Sequence, residues 1–240
     1  CFKGCTQLTT IGPDGTTPDN VCNLAILDSN FSGSLNGFLQ NTKIQSVSGS
    51  FPENVNDLTN CFNGCTELTT IDLDELFDNG VAASTSAVSM FQGCTSLTTV
   101  TGSFPVNVND LTNCFKGCTQ LTTIGPIDTT TNVCDLAILV NYTGSLSGFL
   151  QDTGIQTVTG TFPANVNDLS LCFKGCTQLT TIGPDDNVCD LAILVNYTGS
   201  SLYGFLQDTG IQTVSGSFPV NVNDLSLCFK GCTQLTTIGP

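Results

Sequence analysis

The side chains able to do chemistry here are cysteines, sequon asparagines and carboxylates, and all three fall at regular spacings. Fourteen of the 240 residues are Cys, ten of them in five CFxGC pairs: Cys1/Cys5, Cys61/Cys65, Cys114/Cys118, Cys172/Cys176 and Cys228/Cys232. Cys22, Cys94, Cys134 and Cys189 each stand alone between successive pairs. Spaced cysteines at this density point to disulfides and an oxidising compartment, the alternative being that all fourteen are reduced core residues. Asn30-Phe-Ser, Asn141-Tyr-Thr and Asn196-Tyr-Thr match the N-glycosylation pattern. Carboxylates cluster at Asp14/Asp19, at Asp72/Asp74/Glu75/Asp78 and at Asp185/Asp186, without the alternating register of a calcium loop, so they read as solvated turns.

Missing residue types exclude as much as present ones suggest. The chain has no His, and its five basic residues are all Lys: Lys3, Lys43, Lys116, Lys174 and Lys230. Without imidazole there is no ordinary base for a Ser or Cys nucleophile and no His metal ligand, and near-identical copies offer no asymmetric catalytic constellation. Catalytic, cofactor and metal sites are therefore expected to be none. A net charge of -15 with no arginine fork repels phosphate backbones, which argues against nucleic acid. The apolar run from Leu136 to Val140 is far too short to span a bilayer, so no membrane insertion is expected in this segment.

The elements that must position these groups come from an internal repeat. CFKGCTQLTTIGP occurs at 1–13, 114–126, 172–184 and 228–240, and CFNGCTELTTI starts at Cys61. Sister phrases start at Leu35, Ala87, Leu146 and Leu202, giving nine units. Aligned on the first residue of the pairs Leu8/Ile11, Ile44/Val47, Leu68/Ile71, Leu97/Val100, Leu121/Ile124, Ile155/Val158, Leu179/Ile182, Ile211/Val214 and Leu235/Ile238, the steps are 36, 24, 29, 24, 34, 24, 32 and 24 residues. A period near 24 is that of a leucine-rich solenoid, and turn-forming inserts lengthen alternate steps.

The phrase Leu68-Thr-Thr-Ile71-Asp-Leu73 reads as a turn entering a short strand with alternate residues inward, stopped elsewhere by Gly or Pro. Asp57, Asp110, Asp168 and Asp224 read as caps of a short helix or helical turn ended by Gly. The expectation is one uncapped solenoid over residues 1–240, a window of a longer array. Its nine coils of short strand and short helical turn alternate in length and span about 38 Å at about 4.8 Å per coil.

Substitution between copies addresses the cysteines. The first Cys of each pair is replaced by Phe38, Met90, Phe149 and Phe205 in sister units, so that slot reads as buried core. The second is mostly replaced by polar residues, so it reads as facing a polar edge where the lone Cys could reach it. The expected bridges are Cys5–Cys22, Cys65–Cys94, Cys118–Cys134 and Cys176–Cys189. Cys232 pairs farther along the array, and the fates of Cys1, Cys61, Cys114, Cys172 and Cys228 stay open.

The stretch NVNDLTNCFKGCTQLTTI, residues 107–124, resembles the repeat of BspA-like surface leucine-rich-repeat proteins. The resemblance implies a right-handed solenoid on surface or extracellular proteins, often adhesive, with no catalytic residues. Inserts such as NVCDLAILVNYTGS depart from that family's simple array. Two functions follow: a structural glycoprotein of an extracellular filament, fibre or coat that associates end to end or side by side, or an adhesion module binding protein or glycan on the solenoid face. Near-identity of the copies favours the structural one, because a binding face diversifies its exposed residues.

Overall fold

The computed structural model describes residues 2–12, 17–126 and 132–239 of a parallel solenoid of about nine coils. Strands are two to four residues long, the length that flanking Gly and Pro allow. In the strand Thr70–Asp72, Ile71 is buried while Thr70 and Asp72 face outward. Parallel pairing then sets Ile71 against Val100, Val100 against Ile124, and Val158 against Ile182.

The lone cysteines alter the count of rungs. Cys22 pairs with Val47 and bridges to Ile11; Cys134 lies between Ile124 and Val158; Cys189 lies between Ile182 and Val214. Each occupies the inward Ile/Val slot, where a thiol behaves as a small hydrophobe. Three of the four long steps are therefore ordinary coils preceded by a return loop that repeats the rung without circling the stack, while the 29-residue step from Leu68 to Leu97 adds no rung and carries the helix Leu73–Leu76 instead. Twelve inward residues from Ile11 to Ile238 line this side, so eleven steps of about 4.8 Å, about 53 Å, replace the expected eight. The pairing is interrupted between the strands Ser46–Ser48 and Thr70–Asp72.

The return loops differ in length yet finish alike. Asn20, Asn132 and Asn187 adopt φ of 66°, 67° and 62°, and their amides donate to the hydroxyls of Thr10, Thr123 and Thr181 at 3.0, 3.2 and 3.1 Å. Asparagine tolerates the left-handed conformation and the threonine fixes the exit, so what lies between can vary.

A second parallel sheet runs through the strands Ser32–Ser34, Asn54–Asp57, Thr85–Ser86, Val108–Asp110, Gly144–Ser145 and Val166–Asp168. The third side is a stack of tight turns tied from coil to coil, as in Phe62 N–H to Met90 O at 2.9 Å. Here the expected helix shrinks to a run of turns. Asp57, Asp110, Asp168 and Asp224 do cap it, each accepting the amide two residues on at 2.8 to 2.9 Å. Asn60, Asn113, Leu171 and Leu227 then take positive φ and break the helical path. Among the described residues the one α-helix is Leu73–Leu76, capped by Asp72.

Where a coil bearing a side chain precedes a glycine coil, the two fit for a steric reason. Gly64, Gly93, Gly117 and Gly175 share one left-handed column with Asn41, Asp152 and Asp208. A Cβ on Gly175 would fall on the Asp152 carboxylate, whereas one on Gly117 would meet only Gly93 backbone at 3.8 Å. Glycine in one coil makes room for the side chain of the coil before it. Burial is likewise shared: Leu169 and Ile182 are fully buried, while Leu225 and Ile238, the same positions in the last coil, are 41% and 57% exposed.

Candidate functional site

Three of the five second cysteines of the CFxGC pairs form a buried column together with Cys94, while Cys5 is exposed and Cys232 half-buried. Cys65, Cys118 and Cys176 are fully buried, so the expected polar edge is corrected: the slot is interior. Each thiol donates to a carbonyl one coil back, Cys65 to Leu39 at 3.1 Å, Cys94 to Phe62 at 3.2 Å, Cys118 to Phe91 at 3.0 Å and Cys176 to Leu150 at 3.0 Å. Thr42, Thr153 and Thr209 fill the same slot in sister coils, buried, with hydroxyls donating to Leu39, Leu150 and Leu206 at 2.9 Å. What the copies hold constant is a short donor in an apolar wall, which is why Cys exchanges with Thr there.

All thirteen cysteines among the described residues are free thiols, and none of the four expected bridges is formed. Cys22, Cys134 and Cys189 sit on the strand ladder, paired with Val47, Val158 and Val214. Of the expected pairs only Cys65 and Cys94 are neighbours in the column, and Cys94 turns to the Phe62 carbonyl. Burial first, then nearby thiols, pushes Cys22 and Cys189 up to about 12. Burial also raises Cys176 to about 11 against the hydrogen bond from Thr153. Thiols held protonated in a dry core are poor nucleophiles and poor ligands.

Three of the clustered carboxylates are likewise structural. Asp72 caps the helix, Asp74 accepts the Ser103 amide at 3.0 Å and Glu75 the Gly49 amide at 2.8 Å. Asp14 lies outside the described residues. Among the described residues no group of three or more His, Cys, Asp or Glu is placed to hold a metal ion, and no helix is long and apolar enough to cross a membrane.

The sequons share one place in the fold. Asn30, Asn141 and Asn196 are exposed and follow the 3-10 segments Leu24–Ile26, Leu136–Leu139 and Leu191–Leu194. The middle residue of two of them anchors the loop. Buried Tyr142 donates its hydroxyl to Ser145 O at 2.6 Å and accepts the Leu111 amide at 3.1 Å, and Tyr197 donates to Ser201 O at 2.6 Å. Sequence reasoning missed these two tyrosines as core, although a Tyr at the same offset after each Val-Cys-Asp-Leu was the available signal.

A parallel stack of short strands and turns, cored by repeated Leu, Ile, Phe and Cys, defines a leucine-rich-repeat solenoid. A family model described as BspA type leucine rich repeat region matches residues 1–137 and 36–180, in six copies. The chain belongs to that BspA-type leucine-rich-repeat family. The family is generally associated with cell-surface proteins, and its repeat solenoids are typically non-enzymatic. Searches of curated proteins and of solved structures find no match.

Proposed function

We propose that this chain is a repeat segment of a non-enzymatic extracellular glycoprotein, a structural rod within a surface filament, fibre or coat. The observation that carries the reading is the placement of Asn30, Asn141 and Asn196, exposed at one structural slot in three separate coils. Glycans there would stand in a row along one edge of the rod. Near-identity of the coils supports a structural role, since even Lys116, Lys174 and Lys230 recur at one turn position. The sequons now carry the secretory argument alone, because buried free thiols fit either redox compartment. In the coat, rods associate end to end or side by side. The test is secretion from a eukaryotic host followed by intact-mass measurement before and after amidase removal of N-glycans. A mass loss mapping to these asparagines is expected. An unchanged mass would remove the reading.

A further inference from the structure

Resting on that glycoprotein reading, we infer that the glycan on Asn141 does not project freely: its first sugars lie in a groove at the foot of the asparagine. That groove, about 670 Å³, is lined by Leu136, Leu139, Val140, Asn141, Pro163 and Ala164. Its walls come from the 3-10 segment of one coil and the Phe-Pro corner of the next. Val140 stands at the lip, 53% exposed, an apolar group only half covered by the chain. Asp135, Thr143 and Asn165 supply polar groups around it. An N-acetylglucosamine unit presents an apolar C–H face and a rim of hydroxyl and acetamido groups, which is the complement of an apolar floor with a polar edge.

The coincidence repeats. Asn30 lines a groove of about 570 Å³ with Leu24, Leu27 and Pro52. Directly beside Asn196, Leu191, Leu194, Val195 and Pro219 line another of about 290 Å³. Asn141 and Asn30 thus each line a groove built from the same two chain segments, while Asn196 only neighbours its groove in sequence and its side-chain amide donates to Phe162 O at 3.4 Å. The root of the Asn141 glycan is also held still, because the neighbouring Tyr142 is locked in the core by its two hydrogen bonds. An attached sugar meets the groove intramolecularly, so weak contacts suffice to seat it.

Accessibility of the glycan to an endoglycosidase that cuts between its first two N-acetylglucosamines tests the inference. The chain is secreted from a host that leaves oligomannose glycans, and native wild type is compared with Ala164→Arg, each site being followed by peptide mapping. Ala164 is exposed and lies outside the sequon, so folding and occupancy are preserved. Release at Asn141 should be about tenfold faster in the variant, the effect of about 1.4 kcal/mol of lost seating. The two proteins should release it equally once denatured. An occupied Asn141 released at the same rate from both native proteins overturns the seat and leaves the glycoprotein reading standing. An unoccupied Asn141 overturns that reading, and the seat with it.

Discussion

The thiol of Cys118 donates to the carbonyl of Phe91 at 3.0 Å, one coil back in the stack. In the next coil the Thr153 hydroxyl occupies the same slot and lies 3.3 Å from the Cys176 thiol. The column is therefore a seam of small donors that satisfies carbonyls inside an apolar core. The Phe91 carbonyl also accepts the Cys94 amide at 3.2 Å, so the thiol supplies its second bond, worth about 1 kcal/mol, and the packing of the sulfur about as much again. Cys118→Ala should lose about 2 kcal/mol in urea unfolding, and Cys118→Ser, which keeps a donor, about half of that. A serine variant less stable than the alanine variant would contradict the donor role.

The Gly175/Asp152 relationship gives a second test. Both Gly117 and Gly175 have φ of +75°, so alanine at either position carries a backbone cost of about 1 kcal/mol. Only at Gly175 does the new Cβ meet a carboxylate. Gly175→Ala should cost about 3 kcal/mol, and adding Asp152→Gly should restore most of the difference. Equal losses for Gly117→Ala and Gly175→Ala would show that the Asp152 carboxylate is not what demands glycine at 175.

Raised thiols predict alkaline sensitivity. Cys22 and Cys189 move from 9.0 to about 12, and Cys176 to about 11, so above pH 9 the unfolded chain binds fewer protons than the folded one. Stability is then complete below the unfolded value and falls as pH rises, by about 1.4 kcal/mol per pH unit for each such group. Thermal melts followed by circular dichroism should show Tm steady from pH 7 to 8 and dropping steeply above 9. Cys22→Val, which copies the neighbouring rung Val47, should keep its stability at pH 7 and lessen the slope. A Tm independent of pH up to 10.5 would rule this out.

Tyr142 links two coils through one hydroxyl. Tyr142→Phe keeps the ring and removes both bonds, and should cost about 1–2 kcal/mol. Hydrogen exchange at the Leu111 amide should quicken in the variant. Unchanged exchange would mean that the second acceptor of that amide, Ser145 O at 3.2 Å, already suffices.

Much of this architecture is written in Leu68-x-x-Ile71-x-Leu73, because an inward residue every 24 positions on a short strand admits few folds other than a stack. The rungs at Cys22, Cys134 and Cys189 escaped because the repeat was aligned on Leu, Ile and Val. A cysteine in Val-Cys-Asn/Asp-Leu looks like chemistry when it is packing. The second cysteines mislead for the opposite reason: Thr in the same slot looks like exposure, but its hydroxyl is spent on the carbonyl three residues back and the slot is buried. Helix caps at Asp57 and its equivalents were legible. The left-handed Asn60 and Leu171 that cut the helix short were not, since leucine at positive φ is imposed by stacking. The sequon slot was visible as spacing, but its groove required two coils in contact.

The central claim is a reduced, buried thiol core in place of a disulfide framework. Alkylation with iodoacetamide in the absence of reductant, read by peptide mass spectrometry, tests it most directly. In the native chain exposed Cys5 should react first and half-buried Cys232 more slowly, with Cys22, Cys65, Cys94, Cys118 and Cys134 untouched. After unfolding, still without reductant, every cysteine from Cys5 to Cys232 should be alkylated. Unfolded chain that retains Cys5 joined to Cys22, Cys118 to Cys134 or Cys176 to Cys189 would contradict the account.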